Sequence, residues 1–139
     1  MSPNKPAYLL DIFALLAYLN DEPGMARVQE LLSLAETNKC RLVMCMVNLG
    51  EVLYIIERER GLTMAQSVLA LVESLPMELL DASRDLVLDA AHIKAHHALS
   101  YADAFAAAAA LRENAILLTG DPEFETVEQL VKLEWLEKG

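Results

Sequence analysis

Apolar residues in this chain fall into two kinds of run. Short blocks read as strands: AYLLD (7–11), RLVMCM (41–46), MELLD (77–81), AILLT (115–119) and a weaker VKLEWL (131–136). Between them lie segments with helical periodicity. FALLAYL follows the first block, and PGMARVQELLSLAETN follows the NDE break, with Pro23 placed to open a helix. VNLGEVLYIIERER is stopped by Gly61, and TMAQSVLALVESL ends at Pro76. SRDLVLDAAHIKAHHA and YADAFAAAAALREN complete the set. Alternation of this kind predicts an α/β domain built on a parallel sheet.

That sheet gives meaning to the positions of certain acids. With right-handed crossovers, a helix that follows a strand begins at the sheet's carboxyl edge. Asp11 ends the first strand, Glu51 lies in the opening turns of the helix after the second, Asp103 opens the helix before the fourth, and Asp121 follows the fourth. All four are expected on one rim, where ligands of open α/β sheets bind.

Each acid also has an ordinary structural role open to it. Asp103 forms Ser-x-x-Asp with Ser100, a capping-box pattern, and Asp121 precedes Pro122 as an N-cap of PEFE would. Glu51 can be an exposed helical glutamate. Asp11 lies inside YLLDIFALLAYL, where an unpaired carboxylate costs roughly several kcal/mol of desolvation. Four unrelated caps have no reason to share a rim, whereas a carboxylate cluster without interleaved Lys or Arg calls for a cation. Oxygen ligands of this kind suit Mg²⁺ or Mn²⁺, and the chemistry such a site supports is phosphodiester hydrolysis.

Composition narrows the picture. A chain of 139 residues, 55% hydrophobic, is expected to form one domain over residues 1–139. Its formal net charge of −10 argues against holding nucleic acid by a broad basic surface, although a divalent ion can supply local positive charge. Lys94, Arg112, Arg58 and Arg60 are candidate phosphate contacts that solvated helix faces explain equally. Cys40 and Cys45 are separated by an odd number of residues along one strand and so are not expected to pair with each other. His92 and His96 have the spacing of a metal pair, but without a third ligand nearby a solvated helix face is the expected reading. Asp11 interrupts the longest apolar run, so no membrane span is expected. The start MSPNKP has no cationic region leading into an apolar one, so a cytoplasmic location is expected.

Four segments in order, YLLDIFALLAYLNDEPG, VNLGEVLYII, LSYADAFAAAAA and LLTGDPEF, resemble the PIN domains, in particular the VapC-type ribonuclease toxins of prokaryotic toxin–antitoxin pairs. The resemblance spans nearly the whole chain. It implies a three-layer α/β/α sandwich whose central parallel sheet has the order 3-2-1-4-5. It also implies Mg²⁺- or Mn²⁺-dependent endonuclease action on RNA as the toxin of a type II pair, with Asp11, Glu51, Asp103 and Asp121 as the acidic, metal-holding set. A homodimer and a cognate antitoxin protein, whose tail covers the site, are implied too. Thr119 and Asn48 match polar positions beside those acids. One departure stands out: Ile12 follows the first aspartate, where the family usually has Ser or Thr. That departure sustains an alternative, a catalytically weak PIN scaffold that chiefly binds a protein or RNA partner. A haloacid-dehalogenase-like phosphotransferase fits less well, because it wants a second Asp two residues after the first and Phe13 stands there.

Overall fold

In the computed structural model, residues 5–137 are described. Five strands, β1 (Ala7–Leu10), β2 (Arg41–Cys45), β3 (Glu78–Leu80), β4 (Ile116–Thr119) and β5 (Leu133–Trp135), form one sheet in the order β3-β2-β1-β4-β5. Every neighbouring pair is parallel. The expected order and the five expected strands are both found, each trimmed by one to three residues.

Six α-helices make the crossovers: α1 (Ile12–Leu19), α2 (Met25–Glu36), α3 (Met46–Arg60), α4 (Leu62–Ser74), α5 (Arg84–His96) and α6 (Tyr101–Arg112). Side-chain alternation divides the core between the two faces of the sheet. Leu9, Val43, Cys45 and Leu117 pack with Leu86, Ala90 and Ile93 of α5 and the alanines of α6. Leu10, Leu42 and Leu118 pack with Ala14 of α1 and Val28, Leu31 and Leu32 of α2. On that same second face, Met44 meets Leu49 and Val52 of α3 and Val68 and Val72 of α4. The result is three layers, with connections reversing face between β1 and β4. Helix α6 is apolar all round because it is buried all round: Ala104 to Ala110 are each at most 5% exposed.

Local differences from the expected elements have simple causes. Asp11 lies outside β1 because its carboxylate Oδ1 accepts the Ala14 N–H (2.8 Å), making it the N-cap of α1. Pro23 does not open α2: the Met25 N–H donates to the Glu22 carbonyl (2.8 Å), and the turn so closed holds Pro23 and Gly24 outside the helix. Gly61, with φ 93°, ends α3 as expected. Helix α3 is not covered throughout, for Tyr54 is 54% exposed. Cys40 and Cys45 are buried, unpaired thiols in different core clusters. His92 and His96 are exposed on α5, as a solvated face requires. Among the described residues no helix is long and apolar enough to cross a membrane.

One glycine is fixed by packing. A Cβ at Gly120 would lie 2.3 Å from Cε1 and Cζ of Phe13, so the Phe13 ring occupies the space a side chain at position 120 would need. Gly120→Ala is therefore expected to cost about 1–3 kcal/mol by overpacking. Most of that cost should vanish when Phe13 is already alanine. Urea unfolding of the two single variants and the double variant measures this coupling; losses that simply add would show that the Phe13 ring is not the source of the cost.

Candidate active site

Strands β1 and β4 are neighbours, with Leu10 in register with Leu118, so the residues just beyond them meet at the carboxyl rim. Thr119 is fully buried there, and its hydroxyl donates to Asp11 Oδ2. The same Thr119 Oγ1 accepts the Asp121 N–H (3.0 Å). Asp121 caps a short 3₁₀ helix, Pro122–Val127, its Oδ1 accepting the Glu123 N–H (2.9 Å). Glu123 in turn accepts the Ser100 N–H at Oε1 (3.2 Å), and Ser100, the N-cap of α6, accepts the Asp103 N–H at Oγ (3.1 Å). An unbroken series of hydrogen bonds thus runs from Asp11 to Asp103 through two hydroxyls and two further carboxylates.

All four acids singled out from the sequence border one cavity of about 370 Å³. Asp11, Glu51, Asp103 and Asp121 line it together with Ser100 and Glu123, while Ile12, Phe13 and Leu16 form its apolar side. No Lys or Arg is among these lining residues. The basic residues considered as phosphate contacts are engaged or exposed elsewhere: Arg112 pairs with Asp89 (2.6 Å), and the Arg58 guanidinium stands 5.3 Å from the Tyr54 ring centroid.

Within the cavity the acids are not equivalent. One carboxylate oxygen from each of Asp103, Asp121 and Glu123 lies within 4.8 Å of the other two. Asp11 stands outside this close group and has both its oxygens engaged by Ala14 and Thr119. Glu51 is half-buried on α3. Glu123 was not anticipated. PEFE reads as a helix start, and the Glu123 carboxylate is positioned by the distant Ser100 N–H rather than by anything local in that segment. Asn48 is fully buried, and its Nδ2 donates to the Ala102 carbonyl (2.9 Å), tying the helix of Glu51 to the helix of Asp103. Its Oδ1 has no partner among the described residues.

Charge and burial leave a mark on titration. Burial pushes the Asp11 carboxyl up to about 7, against the opposing pull of the Thr119 and Ala14 hydrogen bonds and with help from the Asp121 charge. Asp103 is raised as well, first by burial, then by sharing a hydrogen bond with Glu123, then by the charges of Asp121, Asp11 and Glu123. Mutually repelling carboxylates with no basic side chain among the described lining residues fit a hard divalent cation, which would relieve the repulsion and accept oxygen ligands.

Residues 8–130 match the model of the PIN domain. No curated protein sequence matches. Among solved structures, the chain is similar to VapBC2 from Rickettsia felis bound to a DNA fragment from the promoter, with 21% identity and a TM-score of 0.74 over 94% of this chain and 99% of that one. It is also similar to DNA-bound VapBC from Salmonella typhimurium, with 18% identity and a TM-score of 0.72 over 93% and 97% of the two chains. A third likeness is to VapC20 of Mycobacterium tuberculosis, a sarcin–ricin-loop-cleaving toxin, with 18% identity and a TM-score of 0.68 over 85% and 92%. At these identities the structural likenesses speak for the fold.

The raised carboxyls set a pH dependence. Asp11 and Asp103 retain protons in the folded chain at pH values where the unfolded chain has lost them, so the folded state binds more protons and stability falls as pH rises from about 4 to about 7. Metal-free protein should therefore unfold at lower urea near pH 8 than near pH 5, by roughly a few kcal/mol in stability. Asp11→Asn should flatten this slope, as urea titrations at the two pH values in EDTA would measure. An unchanged slope in Asp11→Asn would place the titration elsewhere.

Proposed function

This chain belongs to the PIN-domain family, and on that premise we propose that it is a metal-dependent endoribonuclease that hydrolyses RNA phosphodiester bonds as the toxin of a type II toxin–antitoxin pair. One observation carries the reading: Asp11, Glu51, Asp103 and Asp121, with Glu123, border a single cavity that has no basic side chain among its lining residues. The family match supports the PIN assignment for residues 8–130, and we read all of 1–139 as one such domain. The likeness to VapBC complexes supports a cognate antitoxin partner, and the likeness to an RNA-cleaving VapC supports an RNA substrate. A homodimer and a cytoplasmic location complete the proposal.

In this reading Asp103, Asp121 and Glu123, each with a carboxylate oxygen within 4.8 Å of the other two, would hold the cation, and Asp11 and Glu51 would complete the set. Bound there, Mg²⁺ or Mn²⁺ would supply Lewis acidity toward the phosphate and a lowered pKa for water. The chain's own residues do the positioning. Thr119 holds the Asp11 carboxylate and the backbone of Asp121 at a fixed separation, and Ser100 holds Glu123 beside Asp103. Glu51, on the helix that Asn48 ties to α6, orients the attacking water and accepts its proton. Ile12 at the cavity wall supports the alternative of a weakly active, partner-binding scaffold, because its own side chain offers neither metal nor phosphate a hydroxyl.

Purified protein should cut single-stranded RNA in Mg²⁺ or Mn²⁺ and stop in EDTA. Glu51→Gln should lower the rate by about 10²–10⁴-fold, the usual weight of a general base. Cleavage that persists in EDTA would end the metal mechanism. A wild-type protein that binds RNA or an antitoxin but cuts nothing, and gains cleavage on Ile12→Ser, would favour the scaffold.

A further inference from the structure

The cavity has two unlike sides, and the family's acids account for only one. The rest of its lining comes from the first turns of α1, where Ile12, Phe13 and Leu16 stand at helical spacing and border the same space as the carboxylates. Phe13 is the notable member. Its ring fills the position of the absent Gly120 side chain, against the backbone between Thr119 and Asp121, so it abuts the segment that carries the acids. It is only half-buried, with one part packed on the cluster of Leu10, Ala14 and Leu118 and another facing the cavity.

Resting on the nuclease reading above, we propose that Phe13 is a specificity-determining residue whose ring stacks on the nucleobase next to the scissile phosphate. The site therefore selects nucleic acid in which that base is unpaired and free to leave its own stack. Three physical points support this. Among the described residues no Lys or Arg lines the cavity, so its walls offer a nucleotide an apolar and aromatic surface but no fixed positive charge. An aromatic face is the surface best suited to a base, since such stacks are sequence-tolerant. Packing against Gly120 and the core holds the ring in place before substrate arrives, so little freedom is lost on binding.

The test is a scan of a short unstructured RNA in which each ribose in turn lacks its base, cleaved by the full chain in Mn²⁺. Wild type should lose roughly tenfold or more in kcat/KM at one position adjoining the cut, as loss of one base–aromatic stack implies. Phe13→Leu should lose a similar factor on intact RNA and nothing further on the abasic substrate, while Phe13→Tyr, which keeps the ring, should behave as wild type. Losses that multiply in Phe13→Leu would overturn the stacking role and leave the nuclease reading standing. A wild-type scan without any sensitive position does the same, and it needs no variant to fold. Absence of cleavage on every RNA would overturn both.

Discussion

Carboxylates that repel one another are held along one rim by donors that carry no charge. Thr119, Ser100 and the backbone N–H groups of Asp121, Glu123 and Asp103 link Asp11 to Asp103 without a single Lys or Arg. Neutral donors fix geometry but do not cancel charge, and the carboxyls of Asp11 and Asp103 are raised first by burial and further by the neighbouring negative charges. Most of the local architecture serves that arrangement. Asp11, Ser100 and Asp121 are N-caps, so each stands where a helix begins and its backbone donors are free. The positive end of each helix also eases the presence of negative charge.

Sheet topology brings those helix starts together. Connections climb from β1 to β3 on one face and return to β4 on the other, so the rim between β1 and β4 is open and flanked by α1 and α6. Alanines supply most of the buried surface of α6, from Ala104 to Ala110 with Phe105 among them, and they pack on Leu9, Val43 and Leu117 of the sheet. Asn48 adds the remaining tie, joining α3 to the start of α6 at Ala102.

Much of this was legible in the chain. Periodicity located the five strands, and the rim argument located Asp11, Glu51, Asp103 and Asp121 around what proved to be one cavity. The PIN resemblance supplied the strand order, which periodicity alone does not encode because it depends on which strands pair over long separations. Glu123 escaped notice because its place depends on a 3₁₀ turn rather than an α-helix, and on the Ser100 N–H it meets across 23 positions of sequence. The hydrogen bond from Thr119 to Asp11 was hidden for a similar reason: two residues at the ends of adjacent strands are close only once β1 and β4 pair. Phe13 read as a mismatch to another fold, and its contact with Gly120 appears only in three dimensions.

The central claim, that this rim is a cation site before it is anything else, is tested most directly by unfolding wild type and Asp103→Asn in EDTA and in millimolar Mn²⁺. Removing one charge from a self-repelling cluster should leave the metal-free variant as stable as wild type or more so. Wild type should gain about 2.7 kcal/mol at a hundredfold excess of Mn²⁺ over its dissociation constant, and the variant far less at the same concentration. A wild type that gains no stability from Mn²⁺ would contradict the claim, and a variant weaker in EDTA yet stabilised by Mn²⁺ as much as wild type would reduce Asp103 to a residue of the α6 cap.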